Sequence, residues 1–158
     1  MVQLARLLMG RDEVGEAADL LMSARDECVA LHLYDSALEA SVYLSDCRRR
    51  LGDPASALEL LAEAETEAGE EAEMLAPQVS RVRALALLDL GSGDAALATL
   101  AVGVQTARDQ KLGYELTLLL EARARVLGAL GRQLDADEIR QIGEISGSLG
   151  LSTGDGSM

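Results

Sequence analysis

The sequence predicts an all-α fold built from stacked helical hairpins. Ala and Leu dominate a chain of 158 residues that has no Phe, no Trp and three Tyr; strong helix formers abound, and the aromatic residues that favour sheets are scarce. A Leu-Gly or Met-Gly pair recurs as Met9-Gly10, Leu51-Gly52, Leu90-Gly91 and Leu130-Gly131, at intervals of 42, 39 and 40 residues. The stretch "LGDPASALELLAEA", residues 51–64, sets a helix stop beside a helix start. Gly52 suits the left-handed residue that ends a helix, Asp53 suits a cap, and Pro54 suits the first helical position.

Eight helices follow in order. The first, 2–9, is short and apolar at Val2, Leu4, Leu7, Leu8 and Met9. The second, 12–32, follows a turn expected at Gly10 and carries Ala17, Leu21 and Ala24. Ala17 stands seven residues after its glycine, as if two residues were inserted, whereas Ala57, Ala96 and Ala136 stand five after theirs. The third, 34–51, ends at Gly52 and places Ser45 seven residues before it. The fourth, 53–68, carries Ala57, Leu61 and Ala64. The fifth, 73–90, takes Pro77 in its first turn, where the missing N–H costs little, and Ala84 repeats the small residue of the third. The sixth, 94–111, carries Ala96, Leu100 and Gly103, and the seventh, 113–130, places Ala124 in register. The eighth, 133–148, has Ala136, Arg140 and Gly143 at the repeat positions, Ile139, Ile142 and Ile145 on one side and acids elsewhere. An amphipathic last helix with a polar outer face caps a stack, so the array reads as capped at this end and cut at its apolar first helix. Residues 149–158 read as a disordered tail after a repeat domain over 1–148.

Small residues on both helices at fixed distances from a turn let two backbones approach closely. On these residues the chain resembles the tetratricopeptide (TPR) repeats, whose signature runs small…L-G-D-x-x-x-A-x-x-x-L-x-x-A. Residues 51–64 match it, the copy around Gly91 follows it nearly as well, and the likeness spans about 2–148. The period is near 40 instead of about 34, the closing prolines are missing, and Leu, Val or Arg replace the usual aromatics. The resemblance implies a right-handed superhelix of about four antiparallel hairpins, a TPR-like solenoid, with first helices on the concave surface and second helices on the convex one. The longer helices look like the C-terminal arrays of large bacterial regulators, cyclase- or ATPase-linked or transcriptional. That implies a non-catalytic regulatory scaffold.

The net charge of −13 argues against nucleic acid and anionic membrane surfaces, both of which call for basic protein surface. No apolar run reaches the length of a membrane span, and "MVQLARLLMG" is too short and weakly charged for a secretory signal. A cytoplasmic protein is expected. Cys28 and Cys47 stand alone on helical patterns, as reduced buried thiols do. Gly91-x-Gly93-x-x-Ala96 with Asp109 further on has the outline of a dinucleotide loop. The segment before it has helical composition, and the repeat accounts for the same slot in every copy. His32 lacks a second His or Cys at ligand spacing, and the acidic run 63–73 lacks the spacing of a calcium loop. No catalytic, cofactor or metal residue is assigned, and no enzyme is expected.

Charge separates the two sets of helices. The first helices of the complete hairpins (34–51, 73–90 and 113–130) carry seven Arg and seven acids, while the second helices carry seventeen acids and four basic residues. Helical spacing groups Val42, Asp46 and Arg49 on the third helix, Gln78, Arg81, Leu85 and Leu88 on the fifth, and Leu118, Glu121 and Arg125 on the seventh. Aligned, these faces give an apolar floor at Val42, Leu85, Leu88 and Leu118 flanked by Arg49, Arg81 and Arg125. Such a surface suits a protein or peptide segment with apolar anchors and an acidic group that arginine can hold bidentately. Two alternatives are a self-associating structural module and a sensor of a small anionic ligand; the apolar first helix implies either a dimer through residues 2–33 or repeats preceding residue 1.

Overall fold

A computed structural model describes residues 1–148; the tail expected over 149–158 lies outside them. Among the described residues the fold is all-α, with no strand. The helices are α1 (Val2–Gly10), α2 (Val14–Ala30), α3 (Tyr34–Arg50), α4 (Pro54–Ala68), α5 (Ala76–Asp89), α6 (Gly93–Asp109), α7 (Gly113–Ala129) and α8 (Ala136–Ser148). A 3₁₀ segment, Gly69–Leu75, separates α4 from α5. The helix expected over 73–90 therefore starts later. Pro77 still falls in its first turn, as expected, but the acidic residues before it take the tighter winding after Gly69 turns left-handed at φ 60°.

One turn is used six times. Asp12, His32, Gly52, Gly91, Lys111 and Gly131 all have positive φ, between 56° and 94°. The next residue in each case donates its N–H to the carbonyl five positions back: Glu13 to Leu8, Leu33 to Cys28, Asp53 to Arg48, Ser92 to Leu87, Leu112 to Ala107 and Arg132 to Leu127, at 2.7–2.9 Å. These are Schellman closures, which satisfy carbonyls that a helix end leaves free. The turn expected at Gly10 moves to Asp12, because Gly10 stays helical and the left-handed position is the one five residues before Ala17. With Asp12 in place of Gly10 the supposed insertion disappears. The left-handed residues then recur every twenty positions, at 12, 32 and 52 and again at 91, 111 and 131.

Asp53 caps α4, its Oδ1 accepting from the Ser56 N–H at 3.1 Å, with Pro54 opening the helix. Asp135 and Glu138 form a reciprocal capping box at α8, each accepting from the other's N–H. The stripes Ala17/Leu21/Ala24, Ala57/Leu61/Ala64 and Ala96/Leu100/Gly103 are buried. Their small residues admit close crossings: a Cβ on Gly103 would stand 2.7 Å from the Ser80 Cβ. Consecutive helices pack together throughout. The odd helices also touch one another in order, α1 to α3, α3 to α5 and α5 to α7, whereas no two even helices make backbone contact among the described residues.

Candidate functional site

The odd-numbered helices share one side of the molecule, and charge follows that division. They carry eight Arg and six acids, whereas the even helices with the 3₁₀ segment carry sixteen acids and three Arg. The separation seen in sequence becomes sharper because Glu73 belongs to the 3₁₀ segment and α1 adds Arg6.

A cleft of about 440 Å³ opens across all four odd helices. Arg6 comes from α1, Tyr43 from α3, Gln78 and Arg81 from α5, and Tyr114, Glu115 and Leu118 from α7. A side pocket of about 90 Å³ continues it toward Glu39, Val42 and Leu75. Two of the three tyrosines in the chain face this space. The Arg6 guanidinium lies 5.5 Å from the Tyr43 ring centroid, a cation–π contact. Gln78 Nε2 donates to Glu115 Oε1 at 3.2 Å and ties α5 to α7. The other amide atom, Gln78 Oε1, is buried without a hydrogen-bond partner. Arg81 is half-buried, and among the described residues no ion pair or hydrogen bond engages its side chain. The half-buried residue Arg81, an idle amide acceptor and two tyrosines thus line one space. They offer charge-assisted donors, an acceptor for an N–H and flat apolar faces.

A second cleft, of about 890 Å³, lies around the C-terminal ends of α3 and α5. Arg49 and Arg125 line it with Asp12, Arg50 and Asp89. Arg49 is already engaged: it donates to Asp46 Oδ1 at 2.9 Å and to Asp89 Oδ2 at 3.1 Å, and Arg50 holds the other Asp46 oxygen at 2.9 Å. Burial lowers the Arg49 pKa, and its two carboxylates outweigh that effect and raise it.

The three arginines expected beside one floor are therefore divided, with Arg81 in the first cleft and Arg49 and Arg125 in the second. The floor itself is largely closed. Val42 is enclosed by Leu38, Leu61, Val79 and Val82, and Leu85 sits in the cluster of Leu100, Leu116, Leu119 and Leu120. Leu88 packs partly against that second cluster, Leu118 reaches the first cleft, Asp46 is buried and Glu121 is exposed. Arg6, Tyr43 and Tyr114 line the cleft without belonging to the groups that helical spacing picks out. Tyr114 is four residues before Leu118 and so on the same helical face, a signal the sequence does hold.

Gly91 lies between α5 and α6 and Gly93 opens α6, and the strand a dinucleotide loop requires does not precede them. Leu130 packs over Gly93 at the start of α6. Among the described residues no group of three or more His, Cys, Asp or Glu side chains could hold a metal, and no helix is long and apolar enough to cross a membrane. The chain matches no family model, no curated protein and no solved structure.

Proposed function

We propose that the chain is a non-catalytic interaction module, a TPR-like superhelix of about four hairpins that holds a segment of another protein against its odd helices. The observation that carries this reading is Arg81, half-buried and without a partner among the described residues, beside the idle Gln78 Oε1 and the rings of Tyr43 and Tyr114. An arginine that forms no ion pair among the described residues leaves its guanidinium available to an anion. A peptide supplies what the space calls for, namely a carboxylate for Arg81, an N–H for Gln78 and an apolar side chain between the tyrosines. The contacts among odd helices, with the even helices apart, are what a curved array with a concave odd face requires. The acidic even side disfavours an acidic segment there and orients its approach to the odd side. A regulatory role within a larger signalling or transcriptional protein fits such a module.

The test is selection of binders from a random displayed-peptide library, followed by titration of the selected peptide. Arg81→Ala and Tyr114→Ala each weaken binding by about tenfold or more, the scale of one charge-assisted bond or stacked ring. Reversal of charge at Glu63, exposed on α4, leaves it unchanged. Equal losses from all three variants would refute the cleft as the site.

A further inference from the structure

Resting on the reading of the cleft as a peptide site, we propose that Glu39 sets its specificity. The Glu39 carboxylate receives the ammonium of a lysine that stands two residues from the acidic group held by Arg81. Glu39 is half-buried on α3 and lines the side pocket of about 90 Å³ with Val42, Tyr43, Leu75, Gln78 and Arg81. Glu39, Val42 and Tyr43 are three and four residues apart, and so lie on one helical face.

Two opposite charges thus line one small space without pairing. Among the described residues neither Glu39 nor Arg81 makes an ion pair or a side-chain hydrogen bond. Gln78 does not relieve Glu39, because its amide nitrogen bonds Glu115 Oε1 at 3.2 Å. Turning that amide over would set its oxygen against the Glu115 carboxylate, so this bond fixes which way it faces. A ligand group bearing one charge alone would meet a like charge on the other wall. A segment that brings a base to Glu39 and an acid to Arg81 satisfies both.

Size selects the form of that segment. A helix about 10 Å across would fill the 440 Å³ cleft with a single turn, so the segment is extended. Side chains two apart on an extended chain point the same way, about 7 Å from each other, and both can enter the space that Glu39 and Arg81 share. The side pocket amounts to roughly three water volumes, room for a compact ammonium and its last methylene groups. Val42 and Leu75 give those carbons apolar walls. The net charge of −13 draws a basic residue toward the chain.

The probe is a random nonapeptide library displayed on phage and selected on the whole chain. Enriched peptides carry Lys two residues from Asp or Glu. In anisotropy titrations, replacing that Lys by Met in one such peptide weakens binding to the wild-type chain by about tenfold or more. Against Glu39→Gln the same replacement costs about twofold or less, because the ammonium has already lost its partner. The first comparison changes only the peptide, so it does not depend on how a protein variant folds. Enriched peptides without the paired charges, or an equal loss on both chains, overturn the role of Glu39. Where those peptides still lose binding with Arg81→Ala, the peptide-binding reading stands and Glu39 alone falls. A library that yields no binder overturns both.

Discussion

Arg49 reaches from α3 to Asp89 at the end of α5, forty residues away, while its other terminal nitrogen holds Asp46 one turn back. The guanidinium and the Asp46 carboxylate are both buried, so neither can exchange its partner for water. Removing one member of such a group leaves the other charged and desolvated. Arg49→Ala is expected to destabilise by about 3 kcal/mol or more. Asp89→Asn should cost less, about 1 kcal/mol, since Asp89 is partly in contact with solvent. Urea unfolding midpoints measure both, and an Arg49→Ala protein as stable as wild type would refute the structural role.

Gly103 and Ser80 mark a close crossing between α5 and α6. A methyl group at Gly103 would meet the Ser80 Cβ at 2.7 Å and a Leu119 methyl at 3.1 Å. Gly103→Ala should therefore destabilise by roughly 1–3 kcal/mol despite its better helix propensity. Adding Ser80→Gly removes the main obstacle and recovers part of the loss. A stabilised Gly103→Ala variant would show that the helices stand further apart.

Much of this fold is legible in the sequence, where the local chemistry is strong. Asp53-Pro54, the Leu-Gly pairs and the Ala/Leu stripes each state a helix boundary or a buried face without reference to the rest of the chain. Asp12, His32 and Lys111 do not. A left-handed residue other than glycine is fixed largely by the helices on either side; Asp12 and His32 are of types that enter that region more readily than most, whereas Lys111 gives little sign of it. The candidate site was harder to read for a different reason. An odd helix such as α3 meets α1, α2, α4 and α5, so a face inferred from spacing alone does not say which neighbour covers it. That is how Val42 and Leu85 join the core and Tyr43, next in sequence to Val42, borders the cleft.

The three non-glycine turns are open to improvement. Lys111 is exposed and holds φ 56° with a β-carbon that the left-handed region disfavours. Lys111→Gly relieves that strain while adding freedom to the unfolded chain, for a net gain of about 0.5–1 kcal/mol. The reverse change, Gly52→Ala, loses about 1 kcal/mol, because Gly52 sits at φ 94° with open space around it. Thermal melts of the two variants should move in opposite directions.

Cys47 gives the chain a predictable response to alkali. Burial, followed by the nearby Asp46 carboxylate, pushes its thiol up to about 11 from an ordinary value of 9.0, against a smaller opposing pull from Arg50. Below pH 9 the thiol is protonated in both states, so it adds no pH dependence. Between pH 9 and 11 the unfolded chain releases the proton and the folded chain keeps it. The unfolded state then binds fewer protons, and stability falls as pH rises. By pH 11 and above, the loss from this one group is on the order of 2–3 kcal/mol. Unfolding free energy measured from pH 7 to 11 should therefore decline more steeply in wild type than in Cys47→Ala. The same burial keeps the thiolate scarce and shielded, so a disulfide reagent added to native protein at pH 8 should modify the half-buried Cys28 well before Cys47. Equal pH slopes for the two proteins, or a fast-reacting Cys47, would show that α2 does not seal this part of α3.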